Sequence, residues 1–397
     1  MLDKILLIGA GAAGNKAAIQ VVEDGVIPQE DLLLVNGTNM DVPLNYREKC
    51  YVLEKVKESE TGFEPIEEED DGGFGKERTP AKNSTFYALQ TGKIPLKRII
   101  QENKYKYAII VASMEGGSGS GSSVLLAQYI IKACKIPVHV FGFAGFGEGG
   151  RGLQNTIEFM QDIDKGVTTH IIKNDSFLSD TNNLKIKSEI AANKEFSNQV
   201  KVLIGYLIRE SSQNIDSTDR FKTVNTSGYE IVEYKEIDNK IRNKKDFESI
   251  LISICDESHN MPTSASAKRI AIMINTSQNG LIYCDDYTVL KDRYGSPYEP
   301  YWHRQSESDL PDFVAIISSG MKMPIEEVKA IYNKYNEESE SVDTSEDEFF
   351  SQIQTFKGNQ KDSQFDMKNI ISDSSEDDFF ASYKVTKGNK DEKESEY

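Results

Sequence analysis

Two glycine-rich runs in this chain have the spacing to hold a polyphosphate. The first, Gly9-Ala10-Gly11-Ala12-Ala13-Gly14, satisfies G-x-G-x-x-G between the apolar run Lys4 to Ile8 and the helical stretch Asn15 to Glu23. Glycines there let the backbone approach a phosphate, and the helix that follows offers amide donors and positive potential. The same motif suits NAD or FAD. A dinucleotide site, however, wants an acidic residue at the end of the second strand to hold the ribose, and Asn36-Gly37-Thr38-Asn39 stands there. The second run is Met114-Glu115-Gly116-Gly117-Ser118-Gly119-Ser120-Gly121-Ser122. Its alternating glycines and hydroxyls make a tight array of amide and O–H donors. A flexible linker is the plain alternative, but linkers do not usually separate a buried strand from a helix. No G-K-[ST] follows, so the run is not a P-loop.

A third constellation is acidic: Asn214-Ile215-Asp216-Ser217-Thr218-Asp219, then Phe221-Lys222-Thr223-Val224. Two carboxylates three residues apart lie on one face of a turn, where they can orient and polarise a water. Taken alone, the same residues also describe a solvated Asn/Asp-rich turn. The cysteines (Cys50, Cys134, Cys255, Cys284) and histidines (His139, His170, His259, His303) are scattered, with no C-x-x-C pair. They read as structural thiols and ordinary histidines with no metal site, in a reducing cytoplasm.

Short apolar runs place these motifs. Lys4 to Ile8, Leu32 to Val35, Tyr107 to Ala112, Val138 to Phe143 and Thr169 to Ile172 alternate with helical stretches, including Ser122 to Ala133. Such alternation implies a parallel sheet covered on both faces. Ligands in these sheets sit at the carboxyl ends of the strands, where the glycine turns fall. Glu54 to Arg78 is acidic, ends in Gly72-Gly73-Phe74-Gly75-Lys76, and reads as a solvated insertion returning to the active face as a loop. From Leu184 to Arg209, Phe196, Val200, Leu203 and Leu207 recur at helical spacing. A second α/β or α+β unit holds the apolar segments Ile250 to Ile254, Ile270 to Ile274 and Phe313 to Ile317.

The chain has 397 residues and a net charge of −18, which disfavours direct contact with nucleic acid or anionic membrane. No apolar stretch reaches the roughly 18 residues of a membrane span. Met1 to Ala18 superficially resembles a signal peptide, but glycines break its short core. Residues 336–397 hold 17 Asp and Glu against 7 Lys and Arg and lack proline, so disorder is expected. This tail repeats itself at an offset of 30 residues. Ser345-Glu346-Asp347-Glu348-Phe349-Phe350 returns as Ser375-Glu376-Asp377-Asp378-Phe379-Phe380, and Lys357-Gly358-Asn359 as Lys387-Gly388-Asn389.

A strand, then G-G-x-G-x-G, then a helix resembles the signature loop of the tubulin/FtsZ superfamily of GTPases, and within it the plasmid and phage TubZ group. The resemblance extends over most of residues 1–335. It implies that Gly11, Ala12, Ala13, Gly14 and Asn15 form the loop that meets base and phosphates, with Asn36 close by. Gly75 would lie in the loop that senses the γ-phosphate, and Gly116, Gly117, Ser118, Gly119, Ser120 and Gly121 would form the phosphate loop. Glu148 and Arg151 resemble the Glu-Gly-Arg ribose loop with one extra glycine, Glu148 being the closer match. Asn174-Asp175 resembles the turn before the central helix, and Asn193 stands where that helix touches the purine. Glu189 replaces the aromatic that FtsZ places one turn earlier. Asn214, Asp216 and Asp219 resemble the N-x-D-x-x-D synergy loop, which in this family acts on the nucleotide of the next subunit.

The resemblance therefore implies a tubulin/FtsZ-like α/β fold. Its expected parts are a Rossmann-type GTP-binding domain over 1–183, a central helix over 184–211 and a synergy loop over 212–225. A smaller activation domain over 226–335 and a disordered acidic tail over 336–397 complete it. The implied ligands are GTP or GDP with Mg²⁺. The implied partners are further copies of the chain, head to tail, and a DNA-binding adaptor on the tail. A DNA-segregation or phage-positioning filament is the expected role. A division filament of the FtsZ kind, or a non-polymerising nucleotide or NAD module, are the alternatives.

Overall fold

The computed structural model describes residues 4–59, 62–66, 72–145, 149–163, 166–179, 181–182, 184–209, 216–237, 241, 243–276, 288–296, 299–305 and 311–340, with Glu376, Phe379 and Phe380 of the tail. Strand β1 (Ile5–Ala10) is buried along its whole length and runs straight into helix α1 (Gly11–Glu23). Strands β2 (Leu32–Asn36), β6 (Tyr107–Ser113), β7 (Val138–Ala144) and β8 (Thr168–Lys173) follow the same apolar logic. With β3 (Cys50–Val52) they form a parallel sheet in the order β3-β2-β1-β6-β7-β8. Because β1 lies between β2 and β6, the strand order reverses there, and a crevice opens at the carboxyl edge beside β1.

Helices α2 (Arg78–Gln90), α3 (Leu96–Asn103), α4 (Gly117–Tyr129) and α5 (Gly150–Asp162) cover one face. Helix α1 and the long α6 (Lys185–Ile208) cover the other. The alternation of β1 feeds both layers: Leu6, Ile8 and Ala10 join the core under α2 to α5, while Ile5 and Leu7 join the core under α6. Phe196, Val200 and Leu203 of α6 are fully buried there, each stabilising by about 1.5–3 kcal/mol.

After α6 come a short helix α7 (Ser217–Val224) and strand β9 (Gly228–Glu236), which pairs in parallel with β8 through only Thr168↔Gly228 and Thr169↔Tyr229. That seam joins a second half-sheet, made with β10 (Arg269–Asn275), β11 (Glu299–Gln305) and β12 (Phe313–Met321). β12 is antiparallel to β9 and β10. Helices α8 (Lys244–Asp256), α9 (Lys291–Tyr294) and α10 (Ile325–Glu340) complete this half. Among the described residues no helix is long and apolar enough to cross a membrane.

Three expectations change. The glycine run is not a loop ahead of a helix starting at Ser122, because α4 begins at Gly117 and closes at Ile130–Cys134 in a wider helical turn. Packing overrides the low helix propensity of glycine here. The insertion is not wholly solvated, since β4 (Val56–Ser59) and β5 (Gly62–Pro65) form a hairpin whose Phe63 meets Phe86 of α2 edge to face. Finally, α10 runs on to Glu340, past the expected start of the tail, and Phe379 and Phe380 pack on the body of the protein.

Candidate functional site

The crevice is built from two helix starts. The first-turn amides of α1 and α4 have no intrahelical acceptor, no side chain caps either helix, and neither first turn holds an acid. The Gly117 N–H is taken by the Gly75 carbonyl at 3.2 Å, while the dipoles and remaining first-turn amides of the two helices suit a common anion. The two starts touch through backbone: a Cβ on Gly11 would sit 2.7 Å from the amide nitrogen of Gly119, and φ at Gly11 is +73°.

Most of the predicted glycines serve this closeness. Gly14 lies so near Val111 that a Cβ would fall 2.2 Å from its carbonyl oxygen. Gly117 and Gly121 press on the backbone at Gly75, Glu77 and Arg78, and Gly119 on Ala10 and Ser113. Gly116 and Gly75 have open space around them and face the crevice side. The hydroxyls divide likewise. Ser120 bonds back to the Gly116 carbonyl and Ser122 accepts from Thr85 at 2.8 Å, which leaves Ser118 as the half-exposed one. Ala12 and Ala13 stand on the first turn of α1, Ala13 exposed.

Orphaned polar atoms gather round the same edge. Both amide atoms of Asn15, the amide nitrogen of Asn36, and oxygens of Asn174 and Asp175 are buried without a hydrogen-bond partner. Buried polar groups left unpaired cost about 1–3 kcal/mol each, so a polar ligand such as a nucleotide fits this rim. Burial holds the Asp175 carboxyl above its usual range, against the pull of Lys173. Asn193 lies half-buried on α6, one turn beyond Glu189. Arg151 donates to the Glu77 carboxylate at 3.0 Å and so ties α5 to the Gly75 loop. Glu148 and Asn214 lie outside the described residues.

Three further residues take no role from the sequence, although Glu115 lies inside the second glycine run. Arg78, almost fully buried, donates to Glu158 and Asp162 at 3.1 Å each and to the Ser120 carbonyl. Asn155 donates to the carbonyls of Lys76 and Glu115, at 3.0 and 2.7 Å. The buried Glu115 accepts from the Gly145 amide at 2.9 Å. Together they lock the glycine helix to the loops beside it. Each makes contacts across 30 or more residues, which spacing along a chain does not report.

The acidic constellation is elsewhere. Asp216 caps α7, its carboxylate accepting from the Asp219 amide at 2.8 Å. Asp219 is partly exposed, 3.7 Å from the Lys222 ammonium. Arg220 fixes α7 to the end of α6 through the Arg209 carbonyl, and Thr168, at the amino end of β8, donates to Val224. The two carboxylates therefore lie on the amino edge of the sheet. The 24-residue α6 separates them from the crevice by about 36 Å.

The histidines are not all scattered. His139 and His170 share a hydrogen bond of 2.8 Å in the core, with Glu230 at 3.9 and 3.7 Å. Two nitrogens on a tetrahedral zinc stand about 3.3 Å apart, so the pair fits mutual bonding better than ligation. Burial depresses both imidazoles, His139 to about 3. The thiols of Cys50, Cys134 and Cys255 are free and pushed up by burial, to about 11, 12 and 12, as inert structural cysteines are.

No family model and no curated protein matches the chain. Solved structures do. The tail-truncated TubZ of Clostridium botulinum phage c-st superposes with a TM-score of 0.61 at 17% identity, over 85% of this chain and 99% of that one. TubZ of Bacillus thuringiensis serovar israelensis, a GTPγS-form protofilament, gives 0.64 at 15%, over 86% and 95%. CetZ1 from Haloferax volcanii, a GDP-bound monomer, gives 0.63 at 17%, over 84% and 99%. This chain has the fold seen in TubZ and CetZ.

Proposed function

We propose that the chain binds GTP in the β1–β6 crevice, stacks head to tail, and hydrolyses GTP at the contact between subunits. One observation carries this reading: the anion site and the carboxylates Asp216 and Asp219 lie on opposite edges of one molecule, about 36 Å apart along α6. Within one subunit they cannot meet. When the amino edge of one copy rests on the carboxyl edge of the next, they can. Such a heterologous contact propagates into an open polymer. Exposed apolar side chains suit both edges: Met40, Leu44, Leu184, Ile186 and Ile190 rim the crevice side, and Phe221 stands on α7.

Guanine enters from the fold neighbours, which were solved with GDP and with GTPγS. In this chain Gly11 to Gly14, with Gly116 and Ser118, would hold the phosphates through amides, the Gly117 amide being bonded to the Gly75 carbonyl. Asn15, Asn36, Asn174 and Asn193 would hold the nucleoside, and by the family resemblance Glu148 and Arg151 would meet the ribose. Mg²⁺ on the triphosphate would supply charge neutralisation. Asn214, Asp216 and Asp219 of the adjoining copy would position the water, and phosphoryl transfer needs little more than such positioning. The cellular role we infer is plasmid or phage DNA segregation or positioning. Its acidic tail would meet a basic DNA-binding adaptor, since a chain of charge −18 repels DNA itself.

The test is sedimentation of the purified chain with GTP, GTPγS, GDP, ATP or no nucleotide. Pelleting with GTP and GTPγS alone is expected. Equal pelleting with ATP, or none with any nucleotide, overturns the reading.

A further inference from the structure

The second tail repeat is seated on the body. The Glu376 carboxylate accepts from the Lys97 ammonium at 2.8 Å and from the Tyr129 hydroxyl. Phe379 is buried, edge to face with Tyr129 at 5.2 Å, and Phe380 meets Phe86 the same way at 5.5 Å. These contacts lie in a groove between α2, α3 and α4, the apolar part of which is made by Phe86 and Tyr129, with Lys97 and Arg98 beside Glu376. The seated residues are the Glu and the Phe pair of Ser375-Glu376-Asp377-Asp378-Phe379-Phe380. The first repeat carries the same groups at the same spacing and differs only by Glu348 in place of Asp378, with no change of charge.

The two copies differ in reach. α10 runs toward the carboxyl edge, where Tyr335 stands beside Gly149 and Gly150 at the start of α5. The groove is at the other end of α4, because Tyr129 lies 12 residues, about 18 Å, beyond Gly117. Five residues of α10 follow Tyr335 and lead away from it, adding about 7 Å. The first copy begins its Glu346 six residues after Glu340, a span of at most about 20–22 Å. The second begins 36 residues after Glu340, a span of up to about 120 Å. The first copy therefore has little slack for folding back to its own groove, and the second has ample length to reach it. In the stack the carboxyl edge of one subunit meets the amino edge of the next, the edge at which that neighbour's groove opens.

We propose that the groove is a receptor for both repeats: it holds the second copy from its own chain and takes the first copy, Ser345 to Phe350, from a second copy of the chain stacked on it. The stacking rests on the head-to-tail reading; the affinity of the groove for the first copy does not. In the isolated subunit the cis repeat covers the apolar part of the groove. In the stack the neighbour's repeat replaces it and ties the two subunits together.

A fluorescein-labelled peptide of residues 343–352 tests the groove directly. It should bind full-length chain carrying Phe379→Ser and Phe380→Ser at least about 10-fold more tightly than wild type, whose tethered repeat competes at high local concentration. Adding Lys97→Glu should remove that binding. No binding to a vacated chain with wild-type circular dichroism overturns the proposal, as does binding indifferent to Lys97→Glu. Should the vacated chain not fold, Phe349→Ser with Phe350→Ser, which leaves the groove filled, decides. That variant should need several-fold more protein to pellet with GTP, and an unchanged threshold sinks the idea. If no variant pellets with GTP, the head-to-tail reading fails while the peptide still decides the groove.

Discussion

Asp216 and Asp219 were read from spacing as a matched pair, yet the structure gives them different work. Asp216 caps α7, whereas Asp219 leaves its carboxylate on the surface with Lys222 as its neighbour. Asp219→Ala should leave the urea midpoint unchanged and lower GTP turnover by at least about 100-fold in protein that still pellets. Asp216→Ala should lower turnover too, but also cost about 1 kcal/mol of stability through the lost cap. Asp216→Asn keeps the cap and separates the two effects. Full turnover in Asp219→Ala filaments would remove the acid–base role. The glycines teach the same lesson. Residues i and i+4 of a helix share a face and i+2 lies opposite, so Gly117 and Gly121 admit one neighbouring backbone and Gly119 another. Alternation of glycine and serine pointed to a helix start beside β6. It could not show that the helix begins inside the run, because that depends on which backbones press against it.

At the level of elements, the parallel strands and the long helix were legible because each is a continuous apolar or periodic run. α6 was expected from Leu184 to Arg209 and spans Lys185–Ile208. The seam between β8 and β9 was not legible, since only two register pairs join them and the side chains there are polar. Glu230 sits at that seam, fully buried, and burial alone pushes its carboxyl well above the usual range. The folded chain thus keeps Glu230 protonated at pH values where the unfolded chain ionises it. Its stability contribution is present below about pH 4.5 and is lost as pH rises toward the folded value. His139 and His170 act oppositely: neutral when folded, they lose stability as pH falls below about 6.5. Glu230→Gln should therefore gain on wild type as pH rises from 5 to 7, by up to about 1.4 kcal/mol per pH unit in urea unfolding. A constant difference across that range would mean that Glu230 is ionised in the folded protein, against a protonated histidine.

At the scale of the whole molecule, the head-to-tail reading proposed above requires that the two half-sites are complete only between copies. Mixing tests this more directly than any one variant. Asp219→Ala subunits keep an intact crevice but offer no carboxylate. A crevice variant such as Gly119→Val, whose side chain would collide with Ala10 and Ser113, keeps Asp219 but holds no nucleotide. Each alone should be silent. Mixed in equal amounts and incorporated at random, half the crevices are sound and half of their neighbours bring Asp219, so the rate per subunit should approach about a quarter of wild type. Poor incorporation of the crevice variant lowers that value but does not abolish it, and the recovered rate should rise steeply with total protein. A site contained in one subunit predicts no recovery at any ratio. Silence from the mixture, in pellets shown to hold both variants, would therefore return catalysis to the single chain. The separation of the crevice from α7 along α6 would then need another explanation.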